Sequence, residues 1–223
     1  MKIAVLTGAG VSAESGIKTF RDSDGLWEGH DVMEVASPEG FTRNPEVVLD
    51  FYNQRRKQLL SVQPNAAHYA LVALEDKHDV TIITQNVDDL HERAGSTNVI
   101  HLHGELLKVR STGDENLVLE WKEDLNLGDV CENNHQLRPH IVWFGEMVPM
   151  IEVAAEVVEQ ADAILIIGTS MQVYPAAGLV QYAKPDAQIF FVDPKPSISE
   201  SKKITVFAEK ASIGVPKVVE LLN

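Results

Sequence analysis

Two neighbouring histidines in the 223-residue sequence could supply a general base. His101 and His103 follow a short apolar run, and the alternation of side chains along a strand would place both imidazoles on one face. Histidine suits this role because its unperturbed pKa, about 6.5, lies near neutral pH. From this pattern alone, a structural role is an equally good interpretation of either residue.

A second polar cluster, TQNVDD, follows another apolar run and contains Gln85, Asn86 and Asp88. An asparagine amide both donates and accepts hydrogen bonds, and a carboxylate accepts them, so Asn86 and Asp88 could hold a carboxamide. The alternative is an Asx turn that caps the following helix.

The loop TGAGVSAESG places Gly8, Gly10 and Ala13 in the pattern G-x-G-x-x-G/A, directly after an apolar run. Small residues at these positions let a pyrophosphate approach the backbone. The loop therefore predicts nucleotide binding, with a tight turn packed through its glycines as the alternative.

Aromatic and cationic residues that follow this loop could cover a bound nucleotide: Phe20, Arg21 and Trp27. A dehydrogenase would have a second strand ending in an acidic residue about 20 residues further on. Residues 22–40 contain acids but no apolar strand that ends at them, so hydride transfer is poorly supported.

The elements that must position these residues are four apolar runs, predicted to be strands buried on both faces of a parallel sheet: residues 2–10, 80–86, 163–170 and 188–194. Helical patterns separate or follow them at residues 65–75, 150–160 and 215–222. This alternation predicts an α/β, Rossmann-like parallel sheet with helices on both faces. Ligands bind beyond the carboxyl ends of such strands, where the GAG, TQN, GTS and VDP segments fall.

Two insertions are predicted to form a smaller lobe over the edge of the sheet, at residues 29–62 and 108–138. The first should contain a helix that begins at Asn44-Pro45, since asparagine is a good N-cap and proline a good first helical residue. The Rossmann-like domain is then predicted to comprise residues 1–28, 63–107 and 139–223.

The composition excludes several classes of protein. A hydrophobic fraction of 44% is typical of a globular chain rather than a disordered one. The net charge of −14 argues against binding nucleic acid and is compatible with basic partners such as lysine-bearing peptides. A single cysteine, no signal-peptide pattern and no apolar run of about 18 residues predict a cytoplasmic protein without a membrane span.

Five motifs together resemble the sirtuins, which are NAD-dependent protein lysine deacylases: GAGVSAESGIKTFR, TQNVDDLHERAG, HLHGE, VWFGE and GTSMQVYPAAG. They occur in the family's order from Gly8 to about Ala211, and the sequence is most similar to the bacterial, desuccinylase-like branch. Lys18 is a departure, because many members have proline there. The resemblance implies NAD as cosubstrate and acylated-lysine proteins or peptides as partners.

The resemblance also implies a mechanism and a set of site residues. The acyl oxygen of a modified lysine attacks the ribose as nicotinamide leaves, and the products are free lysine and O-acyl-ADP-ribose. His103 matches the catalytic base, Asn86 is a second catalytic residue, and His101 is a support. The implied NAD-binding residues are Gly8, Ala9, Gly10, Ser12, Glu14, Ser15, Thr19, Phe20, Arg21, Trp27, Gln85, Asn86, Asp88, Gly168, Thr169, Ser170, Asp193, Pro194 and Ala211. Asp193 stands where many sirtuins have asparagine.

The segment IVWFGE matches the strand that pairs with the substrate peptide, which implies contacts from Val142, Phe144, Gly145 and Glu146. An ordinary buried edge strand is the alternative.

Tyr52 and Arg55 lie three residues apart in the predicted helix and therefore on one helix face. The sirtuins that remove malonyl and succinyl groups carry Tyr-x-x-Arg here, and a guanidinium with a phenol can bind a terminal carboxylate. The alternative is that Arg55, Arg56 and Lys57 form a solvated charge run.

Most sirtuins hold a structural zinc with four cysteines in the second insertion. Here Ser111 stands where a cysteine is expected, and the second cysteine pair keeps only Cys131. Cys131 and His135 could supply two ligands, which do not close a zinc site. We therefore expect no bound metal and an insertion core made of Leu117, Val118, Leu119, Trp121, Leu125 and Leu127.

Two other functions would share the NAD motifs: protein ADP-ribosyl transfer, and NAD binding without catalysis. The reaction product distinguishes the first from deacylation. His103 and the complete TQN-x-D segment argue against the second.

Overall fold

The computed structural model describes residues 1–18, 26–27 and 29–223. Its strands are β1 (Lys2–Thr7), β2 (Leu26–Trp27), β3 (His30–Asp31), β4 (Asp79–Thr84), β5 (Val99–His101), β6 (Gly104–Ser111), β7 (Val118–Glu120), β8 (Leu137–Ile141), β9 (Ala163–Ile167), β10 (Gln188–Val192) and β11 (Ile204–Phe207). Its helices are α1 (Val32–Val35), α2 (Pro38–Arg43), α3 (Pro45–Ser61), α4 (Ala66–Glu75), α5 (Leu90–Ala94), α6 (Ile151–Gln160) and α7 (Ala211–Leu222). Short 3-10 helices span Ala9–Val11, Ala13–Ser15 and Ala176–Tyr182.

The main sheet has six parallel strands in the order β5-β4-β1-β9-β10-β11. This is the doubly wound order 3-2-1-4-5-6, in which the winding reverses between the first and fourth strands. The predicted α/β fold and its four predicted strands are confirmed. The reversal point between β1 and β9 is where a ligand crevice is expected in this class of sheet.

Both faces of the main sheet are covered by helices. The side chains of Ile3 and Val5 pack into one core with α4 and α7, and those of Ala4 and Leu6 pack into a second core with α6. Successive side chains of a strand point to opposite faces, which explains why the run is uniformly apolar. The helix predicted at residues 65–75 begins after Asn65, whose side chain accepts a hydrogen bond from the backbone of Ala67.

A second layer lies beside the main sheet. Strands β7, β6 and β8 form an antiparallel sheet, and α3 packs against it. Helix α3 begins after Asn44 with Pro45 at its first position, as the sequence predicts. The predicted insertion boundaries at residues 108 and 138 fall inside β6 and β8, and the division into two lobes stays a prediction.

The core of residues 108–138 differs in part from the prediction. Leu125 and Cys131 are buried, and Leu117 and Trp121 pack against them. Leu119 and Leu127 are 41% and 48% exposed, so the prediction that they form this core is wrong. Their apolar character gave no sign that a short edge strand and a turn would leave them facing solvent.

One asparagine joins the insertion to α3. The amide nitrogen of Asn53 donates to the carbonyl of Leu125 across 3.0 Å, and its oxygen accepts from the Leu125 backbone across 2.9 Å. Arg56, next along the same side of α3, is 1% exposed and donates to Asn53 and to the carbonyl of Leu106. The interpretation of Arg56 as part of a solvated charge run is therefore wrong.

Helices of the described part of the chain are all too short or too polar to cross a membrane.

Candidate active site

The glycine loop after β1 touches the loop after β9 at the reversal point of the sheet. The backbone of Gly10 donates to the carbonyl of Gly168 across 2.9 Å. A Cβ atom on Gly10 would lie 2.6 Å from the Cα atom of Gly168, which is too close for any side chain. Gly168 has a φ of 60°, a conformation that favours glycine. Glycine is therefore required at both positions for the loops to meet.

The carboxylate of Asp88 is buried behind the glycine loop. It accepts from the Ser12 hydroxyl across 2.9 Å and from the Leu90 backbone across 3.2 Å. The Asn86 amide donates to the same Ser12 oxygen across 3.2 Å. Burial raises the pKa of Asp88 to about 6, although the Ser12 hydrogen bond opposes the shift. Ser12 thus fixes the Asn86 and Asp88 side chains relative to the loop.

Ser12 and Ser15 were both predicted to contact the cofactor, and neither lines the cleft. Ser12 is fully buried, and the Ser15 hydroxyl accepts from the Asn65 amide across 2.9 Å. Both hydroxyls hold the loop in place from behind. Predicted residues Thr19, Phe20 and Arg21 lie outside the described residues.

His103 is oriented by the backbone of the TQN segment. Its Nδ1 atom lies 3.0 Å from the carbonyl oxygen of Gln85. A carbonyl only accepts, so Nδ1 carries the proton and Nε2 keeps a free lone pair. Burial lowers the pKa of His103, although the Gln85 carbonyl opposes this, and the imidazole is neutral at pH 7. A neutral imidazole with a defined tautomer can accept a proton at Nε2.

His101 has a different environment from His103. Its Nε2 atom lies 2.7 Å from Glu92, and its Nδ1 atom lies 3.2 Å from the carbonyl oxygen of Asn86. Burial opposes charge on this ring, but the Glu92 hydrogen bond and carboxylate charge outweigh it and raise the pKa of His101. An imidazole held between two acceptors has no free lone pair to act as a base, which agrees with a supporting role.

A single cleft of about 640 Å³ joins these groups. Its lining includes His103 and these predicted NAD-binding residues: Gly8, Ala9, Gly10, Glu14, Trp27, Gln85, Asn86, Asp88, Gly168, Thr169, Ser170, Asp193, Pro194 and Ala211. It also includes the predicted substrate-binding residues Tyr52, Arg55, Val142, Phe144, Gly145 and Glu146. The structure thus brings most of the predicted NAD-binding residues and all of the predicted substrate-binding residues to one cleft.

The cleft end beside α7 carries acceptors suited to sugar hydroxyls. Asp193 is buried, and one of its oxygens accepts from the Lys195 backbone across 2.8 Å. Glu14 accepts from the backbone and hydroxyl of Ser212 in the first turn of α7, across 2.9 and 2.6 Å. Glu14 therefore fixes the end of α7 that carries Ala211 to the glycine loop.

The opposite end of the cleft carries Tyr52 and Arg55 on α3. The Arg55 guanidinium donates to the carbonyl of Phe51 across 2.6 Å and lies 3.7 Å above the Phe51 ring. Trp27, predicted to cover a nucleotide, packs edge-on against Phe51 and Tyr52 at this end, with ring centroids 4.9 and 6.1 Å apart. Trp27 therefore packs against α3, which the sequence did not suggest.

Strand β8 ends at Ile141 and residues 142–146 are irregular, so both sequence-based interpretations of this segment as a strand, the substrate-pairing strand and the buried edge strand, are wrong on that point. The Val142 backbone donates to the His103 carbonyl, and that of Phe144 donates to the Ala36 carbonyl, each across 2.9 Å. Glu146 forms ion pairs with Arg110 and Arg138 at 3.1 and 2.7 Å. These bonds hold the segment in an irregular path along the cleft.

Several lining residues were missed by sequence reasoning, and one of them is Trp143, whose indole nitrogen donates to the Tyr52 hydroxyl across 2.9 Å. The two residues are 91 positions apart, and no local pattern links them. Its position inside the VWFGE motif was the available signal.

Residues 8–175 match the sequence profile described as the Sir2 family. The chain belongs to the Sir2 family. A Helicobacter pylori protein named NAD-dependent protein deacylase is 64% identical over 193 residues, covering 86% of this chain and 84% of that protein. A Bacteroides thetaiotaomicron protein of the same name is 52% identical over 227 residues, covering 99% and 97%. The sirtuin resemblance seen in the sequence is confirmed.

A solved structure described as a Sir2 homolog-NAD complex superposes on this Sir2-family chain with a TM-score of 0.85. The two are 41% identical, with 99% of this chain and 88% of the other covered. The glycine loops and the buried carboxylate of Asp193 fit a dinucleotide, because the loops can admit phosphates and the carboxylate can accept from ribose hydroxyls. Residues of this chain that would hold NAD include Gly8, Gly10, Asn86, Asp88 and Asp193.

In this Sir2-family structure, the described residues contain no group of three or more His, Cys, Asp and Glu side chains arranged to hold a metal. The Cys131 thiol instead donates to the Ser111 hydroxyl across 3.3 Å. That hydroxyl also accepts from the backbones of Gly113 and Asp114. His135 is exposed, and its ring lies against Gly113.

Proposed function

We propose that this Sir2-family enzyme removes succinyl and malonyl groups from protein lysines, with some activity on acetyl groups and with NAD as cosubstrate. NAD supplies the ADP-ribosyl group that receives the acyl group. The observation that carries the preference is that Tyr52 and Arg55 line the same cleft as His103 and the glycine loops.

At the nicotinamide end, Asn86 and Asp88 are proposed to hold the carboxamide. The amide of Asn86 can donate and accept, and ionised Asp88 can accept from the carboxamide nitrogen. Both side chains are fixed by Ser12. Holding the leaving group in one orientation favours the geometry in which the bond to ribose breaks.

His103 is proposed to accept a proton at Nε2 from a ribose hydroxyl. Its burial and its hydrogen bond to the Gln85 carbonyl support this role, because they keep the ring neutral and fix its tautomer. The Val142 backbone donates to the carbonyl of His103 itself, which ties the base to the segment proposed to contact the peptide.

At the acyl end, the guanidinium of Arg55 is proposed to bind the terminal carboxylate of a succinyl or malonyl group. The positive charge and planar donors of arginine match a carboxylate. The stacking of Arg55 on Phe51 and its bond to the Phe51 carbonyl limit its motion, which lowers the entropic cost of binding. Tyr52 would donate a second hydrogen bond.

The test is a comparison of acetyl-, succinyl- and malonyl-lysine peptides with NAD, in wild type and in Arg55→Met. Arg55→Met keeps bulk but removes the charge, and loss of about 1.5–3 kcal/mol should lower kcat/KM for succinyl-lysine roughly tenfold to hundredfold. Tyr52→Phe should lower it less. Lys57→Met is the matched control, because Lys57 lies on the same helix and pairs with Asp124 outside the cleft.

The ratio of succinyl to acetyl efficiency decides the result. If Arg55→Met lowers both equally, Arg55 is structural and the acidic-acyl preference fails while deacylation stands. Mass spectrometry of the products tests deacylation separately. A labelled acceptor protein without O-acyl-ADP-ribose would indicate ADP-ribosyl transfer instead.

A further inference from the structure

The hydrogen bond between Trp143 and the Tyr52 hydroxyl has a defined direction. Trp143 Nε1 lies 2.9 Å from the hydroxyl oxygen, and an indole nitrogen can only donate. The phenol oxygen therefore accepts, and its own proton must point away from the indole. Among the described residues, no acceptor lies within hydrogen-bond distance of that proton.

Trp143 is itself held firmly. Its backbone donates to Glu146 across 2.8 Å, and its ring lies 3.4 Å beneath the Arg138 guanidinium, which pairs with the same carboxylate. Phe41 packs on the indole with ring centroids 5.3 Å apart. Trp143 is only 2% exposed. The donor thus has little freedom to leave Tyr52.

Tyr52 stays protonated at neutral pH. Burial raises its pKa well above the ordinary value of a phenol, and this outweighs the opposing effect of the hydrogen bond from Trp143. A neutral phenol that accepts from one side and has its proton unused on the other is ready to donate to an anion.

We infer that Trp143 is a positioning residue for acyl selectivity: its indole N–H turns the Tyr52 hydroxyl so that the phenol proton points at the terminal carboxylate of the acyl chain. The inference rests on the proposed function, because it needs an acidic acyl group in the cleft. It assigns to the VWFGE segment a role in reading the acyl chain, besides its expected contact with the peptide.

The first experiment is Trp143→Phe, which keeps an aromatic ring beneath Arg138 and removes the donor. The ratio of succinyl to acetyl kcat/KM should fall about threefold to tenfold, the size expected for one neutral hydrogen bond. In a Tyr52→Phe background, Trp143→Phe should lower the ratio no further, since the group that it orients is gone. Phe41→Leu is the matched control: it disturbs packing on the same indole, and the ratio should be retained.

Two outcomes overturn the inference alone. One is an unchanged ratio in Trp143→Phe while Tyr52→Phe lowers it. The other is an equal fall with and without Tyr52, which would show that the indole acts through packing. A wild-type enzyme that does not favour succinyl over acetyl overturns the proposed preference and this inference together, and is recognised before any variant is made.

A measurement on the unmodified chain covers the case in which Trp143→Phe does not fold. The sequence has three tryptophans, so the Trp143 indole N–H resonance in ¹⁵N-labelled protein can be assigned by changing Trp27 and Trp121 to Phe in turn. A succinyl-lysine peptide should shift this resonance and an acetyl-lysine peptide should not. The reason is that a phenol whose proton is bound to a carboxylate becomes a stronger acceptor. An equal response to both peptides contradicts the inference.

Discussion

The Nδ1 atom of His103 lies 3.0 Å from the carbonyl oxygen of Gln85, and this contact decides which imidazole nitrogen can act as the base. Because Gln85 begins the segment that also carries Asn86 and Asp88, the proposed base is hydrogen-bonded to the same stretch of backbone that carries the side chains proposed to hold the carboxamide. Displacing that stretch would move all three groups together.

Replacing His103 by alanine should remove turnover and retain NAD binding, because the proposed base is lost while the glycine loops proposed to hold NAD are kept. We expect kcat to fall at least about a hundredfold, the lower end of general base contributions. Single-turnover kinetics and calorimetric titration with NAD measure the two effects. His101→Gln is the matched control and should lose much less activity. Near-wild-type deacylation by His103→Ala would remove His103 from its proposed role.

The deacylase activity should fall at low pH because two groups become protonated. In the proposed mechanism, Asp88, whose pKa is raised to about 6, must be ionised to accept from the carboxamide, and His103, whose pKa is lowered from its ordinary value, must be neutral. The pH profile of kcat/KM should therefore decline below about pH 6, approaching a slope of two on logarithmic axes. A slope of one throughout the acid range would contradict this assignment.

Asp88→Asn should stabilise the fold while it impairs catalysis. The folded-state pKa of Asp88 is raised to about 6, so the carboxyl group favours folding at low pH and this contribution is lost as the pH rises through 6. Asparagine never ionises. The variant should melt about 4 °C or more above wild type at pH 8, and the gain should be smaller at pH 5. A gain that does not depend on pH would mean that packing rather than charge is responsible.

The purified chain should contain no stoichiometric zinc. In the core of the second insertion, the Cys131 thiol already donates a hydrogen bond to the Ser111 hydroxyl. The variant Cys131→Ser keeps a hydrogen-bond donor at that position. Elemental analysis should find far less than one zinc per chain, and Cys131→Ser should fold normally. One zinc per chain together with unfolding by a chelator would refute the expectation.

The sequence predicted the elements with strong patterns and missed the short ones. The run that became β1 is apolar at every central position because both its faces are buried. Strands β5 and β11 have only three and four residues and are half-exposed in part, so no periodicity marks them. The same limit explains Leu119 and Leu127, whose exposure depends on the path of the insertion.

Motifs in the sequence predicted the site residues, but they did not show which of these residues line the cleft and which hold the loops in place from behind. Ser12 belongs to the glycine motif, yet it faces inward to Asp88 because the chain turns in a 3-10 helix there. Trp143 and Tyr52 meet only because α3 packs beside the segment after β8. Contacts between distant segments of this kind depend on the packing of whole elements, which local sequence patterns do not encode.

The contact between Gly10 and Gly168 has a consequence for inhibitor design. Because the two loops are joined backbone to backbone, they leave no room for additional bulk on a compound that binds at the dinucleotide end of the cleft. A compound that relies on the shared G-x-G-x-x-G/A geometry would also bind other dinucleotide-binding enzymes. In the proposed role of Arg55, a carboxylate-bearing compound that extends to this arginine would draw its discrimination from the opposite end of the cleft. Potency and discrimination would thus come from separate halves of one molecule.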